Sequence, residues 1–134
     1  MSKRQTIILV ADDDQDDQEL LKEAILHEDN AATVYAVFSG EELIDFLVNC
    51  HDTSLPCLIV LDYNMPNMNG SEVLDYLCKN ERYSEIPAVV WSTSDSPQYK
   101  SLCQQNGAKS YFSKPEDFRK VKDIVKEMLQ YCAT

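Results

Sequence analysis

Thr6-Ile7-Ile8-Leu9-Val10-Ala11, followed at once by Asp12-Asp13-Asp14, is the stretch on which the fold turns. Its first six residues are aliphatic or β-branched with no polar alternation, so they read as a strand buried on both faces, as in a parallel sheet. Thr33–Val37, Cys57–Leu61, Ala88–Trp91 and Ser110–Ser113 have the same character and are bounded by turn residues. Between these runs the apolar residues recur at helical spacing. Leu20, Leu21, Ala24 and Ile25 make one stripe, Leu43, Ile44, Phe46 and Leu47 a second, and Val73, Leu74 and Leu77 a third. Tyr99, Leu102 and Cys103 make a weaker fourth, and Phe118, Val121, Ile124, Val125, Met128 and Leu129 the clearest one. Ser39 with Glu42 and Asn69 with Glu72 have capping-box spacing, Ser96 precedes Pro97 as at a first helical turn, and Asn106-Gly107 is a helix stop. Five strand–helix units in strict alternation predict an α/β domain, and right-handed crossovers make it a three-layer sandwich.

Composition bounds what this fold does. The 134 residues suit one domain over 1–134, and 44% hydrophobic residues fill one core. No linker, repeat or low-complexity stretch interrupts them. With Lys+Arg 12 against Asp+Glu 23 the formal charge is -11, which repels a nucleic-acid backbone or an anionic membrane surface. The apolar run after Lys3 and Arg4 stops at Asp12, short of the roughly 7–15 residues of a signal peptide, and no segment is long enough to span a bilayer. Cys50, Cys57, Cys78, Cys103 and Cys132 are an odd count without a CxxC pair, which reads as reduced thiols in a cytoplasmic protein.

In a parallel α/β sheet ligands bind beyond the carboxyl ends of the strands, so the residues that end each strand carry the chemistry. The first strand ends at Asp12-Asp13-Asp14, the third at Asp62, the fourth at Ser92-Thr93 and the fifth at Lys114-Pro115. Each alone is an ordinary residue; together they put carboxylates, a hydroxyl and an ammonium on one rim. Asp14, Asp16 and Asp17 read as solvated acids at a helix start. Asp12, Asp14, Asp16 and Glu23 have calcium-loop spacing, but Asp17 stands where that loop needs glycine. Two like charges 4 Å apart repel by about 4 kcal/mol at an effective dielectric of 20, so Asp12, Asp13 and Asp62 call for a counter-ion beyond Lys114. Mg²⁺, which takes one or two carboxylates and keeps several waters, suits that count better than Ca²⁺. Mg²⁺ beside a carboxylate, a hydroxyl and a lysine is equipment for receiving a phosphoryl group, with Asp62 as nucleophile.

Ile8-Leu9-Val10-Ala11-Asp12-Asp13, Leu61-Asp62-Tyr63-Asn64-Met65-Pro66-Asn67-Met68-Asn69-Gly70, Ser92 and Lys114-Pro115 together resemble the receiver domain of two-component response regulators, in particular its single-domain, chemotaxis-type members. The resemblance covers essentially the whole chain. It implies a flavodoxin-like doubly wound parallel sheet with strand order 2-1-3-4-5. It also implies that Asp62 accepts phosphate from a phosphohistidine, and that Asp12, Asp13, Asp62 and the Asn64 backbone carbonyl hold Mg²⁺. Ser92 and Lys114 would contact the phosphoryl oxygens, with the Lys114–Pro115 peptide cis. Ser92 and Tyr111 match the switch pair, and Asn64 and Ser94 the positions that tune phosphate lifetime. The family more often has threonine at Ser92. One helix follows Pro115 and no output domain, so signalling would proceed by binding through the fourth helix, fifth strand and last helix, where Gln98, Tyr99, Lys100, Tyr111 and Lys122 are candidate contacts. The donor would be a sensor histidine kinase or a histidine phosphotransfer protein, and autodephosphorylation slow.

Two other functions fit parts of the pattern. A haloacid-dehalogenase-type aspartyl phosphatase also places an Asp at a strand end, but needs a second acid where this chain has Asn64. A receiver-like docking module that takes no phosphate would not need Asp13, Asp62, Ser92 and Lys114 together. Three isolated glycines cannot build a P-loop or dinucleotide cradle.

Overall fold

The computed structural model describes residues 5–132. Five strands, β1 (Ile7–Ala11), β2 (Thr33–Val37), β3 (Leu58–Leu61), β4 (Ala88–Ser92) and β5 (Ser110–Ser113), alternate with α1 (Gln15–Glu28), α2 (Gly40–Asn49), α3 (Gly70–Lys79), α4 (Pro97–Gln105) and α5 (Phe118–Leu129). All pairings are parallel and the order is β2-β1-β3-β4-β5, the flavodoxin-like doubly wound arrangement. The chain starts in the middle of the sheet and winds outward both ways, which puts the order reversal between β1 and β3.

Side-chain alternation divides the core into two layers. Leu9, Ala11, Ile59, Leu61, Ala88 and Val90 pack against Leu43 and Leu47 of α2, Val73, Leu74 and Leu77 of α3, and Cys103 of α4. Ile8, Val10, Leu58, Val60, Val89 and Trp91 pack on the other face against Leu21, Ala24 and Ile25 of α1 and Val121, Val125 and Met128 of α5. β1, β3 and β4 are buried throughout, whereas the edge strands β2 and β5 are partly exposed because each lacks a neighbour on one side. The fourth stripe delivers only Cys103 to the core, and Leu102 stays 39% exposed.

The helix starts follow their sequence signals. Asn69 and Glu72 form a complete capping box, and Ser96 caps α4 with Pro97 in its first turn. Ser39 accepts from the Glu42 N–H, but the Glu42 carboxylate takes the N–H of Phe38, one residue before the cap. Asn67 and Gly107 adopt left-handed backbone, with φ 68° and 102°, in the loop before α3 and at the end of α4.

Two expectations are corrected. Cys57 and Cys132 are disulfide-bonded rather than free thiols. Cys57 leads into β3 and Cys132 closes the turn after α5, so parallel topology brings both to the pole opposite the strand ends, with Cα atoms 5.1 Å apart. An odd count and an absent CxxC do not exclude one long-range bridge. Cys50, Cys78 and Cys103 are free. The Lys114–Pro115 peptide is trans, since no cis bond occurs among the described residues; trans is the favoured X–Pro isomer.

Candidate functional site

The last rungs of the sheet fix three of the predicted residues by their backbones. Asp12, Asp62 and Lys114 each follow a strand and each donate an N–H to the neighbouring strand: to Val37 O at 3.1 Å, to Ala11 O at 2.9 Å and to Ser92 O at 2.8 Å. Asp12 is 1% and Asp62 6% exposed, while Asp13 lies at the surface. One carboxylate oxygen from each of Asp12, Asp13 and Asp62 lies within 4.8 Å of the others. Hard oxygen donors at that spacing fit a divalent cation of the Mg²⁺ or Mn²⁺ class.

Lys114 reaches across this cluster. Its Nζ donates to Asp12 Oδ2 at 2.7 Å, Asp17 Oδ2 at 2.8 Å and Asp62 Oδ2 at 3.0 Å, with the side chain 7% exposed. Burial pushes the Asp12 carboxyl up to about 6, against the pull of Lys114 and the Asp14 N–H and with a further push from the Asp62 charge. Burial alone would lower Lys114, but its bonds to Asp12 and Asp17 and the Asp62 charge outweigh it and hold the ammonium above the usual lysine range. The site is therefore an ion cluster short of positive charge.

Asp17 is the residue that sequence reading misplaced. It is a Lys114 partner rather than a solvated helix acid. Asp14 caps α1, so Asp17 falls one and two turns before Leu21 and Ala24, both buried against the sheet; that i, i+4, i+7 spacing is the signal for it.

The remaining candidates make contacts of their own outside the cluster. Asn64 is exposed, and its N–H points to Asp62 Oδ1 at 3.4 Å. Ser92 is fully buried, and its Oγ accepts the Ser94 N–H at 3.3 Å. Tyr111, half-buried against the α2–α4 face, donates its hydroxyl to Ser94 O at 2.8 Å, and burial raises its phenol above the ordinary value. Tyr63, directly after Asp62, stacks on Tyr99 of α4 with ring centres 4.0 Å apart. Lys100 pairs with Asp95 at 2.7 Å and lies 5.9 Å from the Tyr111 ring centre; Lys122 sits over Phe118. Gly70 opens α3 where a Cβ would lie 2.9 Å from Asp62 O and 3.0 Å from Tyr63 Cα, so only glycine lets the helix start this close to the site.

Residues 8–126 match the response regulator receiver domain family. The chain belongs to that family. The receiver is 32% identical to the two-component response regulator ORR8 of Oryza sativa subsp. indica, over 89% of this chain and 94% of that protein. It is 30% identical to the probable methanogenesis regulatory protein FilR2 of Methanothrix harundinacea (strain 6Ac), over 93% of this chain and 82% of that protein. Among solved structures, the phosphorylated cyanobacterial phytochrome response regulator RcpA superposes with a TM-score of 0.86 at 26% identity, covering 97% of the receiver and 95% of RcpA. No helix among the described residues is long and apolar enough to cross a membrane.

Proposed function

We propose that this receiver takes a phosphoryl group from a phosphohistidine on a sensor histidine kinase or histidine phosphotransfer protein onto Asp62, and signals by phosphorylation-dependent protein binding. The observation that carries the reading is the convergence of Asp12, Asp13 and Asp62 around an oxygen-lined point with Lys114 bonded to the same Asp62 carboxylate. A carboxylate oxygen of Asp62 attacks phosphorus; the O–P bond forms as the P–N bond breaks, and its electron pair leaves with the imidazole nitrogen. Lys114 pairs with the incoming phosphoryl oxygens, giving up part of its contact with the acids, and the Ser92 hydroxyl donates to another oxygen. Asp12, Asp13, Asp62 and the Asn64 carbonyl are the residues to hold Mg²⁺, which when bound neutralises charge on the phosphoryl oxygens.

Asn64 supplies no acid or base for rapid hydrolysis, which disfavours a dehalogenase-type phosphatase and leaves slow autodephosphorylation, with Asn64 and Ser94 beside the site to tune it. Movement of the Ser92–Ser94 segment reaches Tyr111 through the Ser94 carbonyl, so α4, β5 and α5 form the surface offered to a downstream protein. We place the protein in the cytoplasm with its kinase, and read residues 1–134 as one receiver.

Intact mass after incubation with Mg²⁺ and acetyl phosphate tests the reading. The wild type should gain one acid-stable, base-labile phosphate, and Asp62→Asn none. Equal labelling of the variant would remove Asp62 from the mechanism.

A further inference from the structure

Gln18 is a polar residue with no role in the phosphoryl chemistry above, yet it is only 4% exposed. Its carboxamide points from α1 to the place where β1 and β2 end. Nε2 lies 2.6 Å from Val37 O and 3.2 Å from both Val10 O and Asp12 O. Two N–H protons serve three carbonyls there, and the flipped amide would set Oε1 against all three, so the chemistry fixes its orientation. Oε1 is buried and has no partner among the described residues. An aliphatic side chain of similar length would carry no unpaired oxygen, but it would take the amide donor away from these carbonyls. What the carboxamide adds is a grip on the Asp12 backbone: the N–H of Asp12 is held by Val37 O, and its carbonyl by Gln18.

We propose that Gln18 is a positioning residue for the divalent-cation site and favours Mg²⁺ over larger ions. The proposal rests on reading Asp12, Asp13 and Asp62 as that site. Mg²⁺ demands near-ideal octahedral geometry at about 2.0–2.1 Å, whereas Ca²⁺ accepts a looser shell at about 2.3–2.6 Å. A backbone clamp at the first ligand therefore matters more to the smaller ion. Outer-shell residues that aim metal ligands change affinity by about 10–100-fold when replaced.

Calorimetric titration of the whole protein with Mg²⁺ and separately with Ca²⁺ tests this. Gln18→Met keeps the volume and removes the clamp; Mg²⁺ affinity should fall by at least about tenfold, and Ca²⁺ affinity by clearly less. Ile25→Val, farther along the same buried face, lowers stability without touching the clamp and should leave both affinities unchanged. Hydrogen exchange of the metal-free Gln18→Met protein should speed up at Asp12 and Asp62, whose N–H groups cross the ends of β1. If the methionine variant does not fold, Gln18→Asn, which keeps the amide but shortens its reach, should show the same selective loss. Unchanged Mg²⁺ affinity, equal losses for the two ions, or an equal loss in Ile25→Val would each overturn the positioning role. Wild-type protein that binds neither ion would overturn the cation-site reading itself, and this inference with it.

Discussion

Lys114→Met removes the one cation bonded to three carboxylates, Asp12, Asp17 and Asp62, and leaves a side chain of similar length. Asp12 and Asp62 are nearly inaccessible to water, so the loss is that of breaking a buried pair, about 3–5 kcal/mol. At about 2.1 cal/mol/K of unfolding entropy per residue this lowers the melting temperature by about 11–18 °C in metal-free buffer at pH 7.5. The deficit should shrink at pH 5, for a reason carried by Asp12. Its folded value of about 6 lies above the ordinary carboxyl value of 3.8, so between the two the folded protein holds more protons than the unfolded one. Stability of the metal-free wild type therefore falls as pH rises from about 4 through 6 and levels off above. Without Lys114 the Asp12 carboxyl is pushed higher still, and the variant gains more from its protonation than the wild type does. Mg²⁺ should narrow the gap at pH 7.5 by restoring positive charge. Thermal melts at both pH values, with chelator and with Mg²⁺, measure all four conditions. A deficit that is the same at pH 5 and 7.5 would refute the electrostatic account and assign the loss to packing.

Two further outcomes concern the opposite pole of the sheet and the start of α3. Reducing the Cys57–Cys132 bridge, which spans 75 residues, frees an unfolded-state loop whose closure entropy is worth at most about 4.5 kcal/mol, or about 16 °C, in melts of Cys132→Ser against wild type; a purified native protein whose mass shows no bridge would remove this term. Gly70→Ala should destabilise by about 1–3 kcal/mol, more than the helix-propensity gain of about 1 kcal/mol, because the new Cβ meets backbone atoms of Asp62 and Tyr63; slower labelling of Asp62 at unchanged Mg²⁺ affinity would show that the strain reaches the nucleophile, and a more stable variant would contradict the clash.

The strands and the site rim were legible because both depend on local signals. Aliphatic runs such as Ile59–Leu61 fit only a doubly covered parallel sheet, and the residues ending such strands have one rim to occupy. Asn69 with Glu72 and Ser96 with Pro97 are likewise decided within four residues. What escaped was long-range or depended on orientation. Asp17 and Gln18 are polar residues in an acidic run whose composition suggests a wet face, and only the turn of α1 after Asp14 sends both toward the sheet. Cys57 and Cys132 meet because two different elements end at one pole, which no spacing rule reports. Asn64 meets Asp62 through its N–H and Ser94 meets Ser92 through its own, but identity alone does not say how a neutral polar side chain alters hydrolysis.

The backbone bonds that pin Asp12, Asp62 and Lys114 are also the outermost rungs of the sheet. Loosening those of Asp12 and Asp62 means fraying β1 or β3, whose other residues are in the core, so these two positions open slowly, whereas Lys114 extends the partly exposed edge strand β5. The ordering entropy of the reacting groups is therefore met when the chain folds, not when a donor arrives. The same rigidity leaves the strand ends unable to report on what they hold. Any change in shape has to be taken up just beyond them, in the segment from Thr93 to Ser96, where the sheet has released the chain and α4 has only begun.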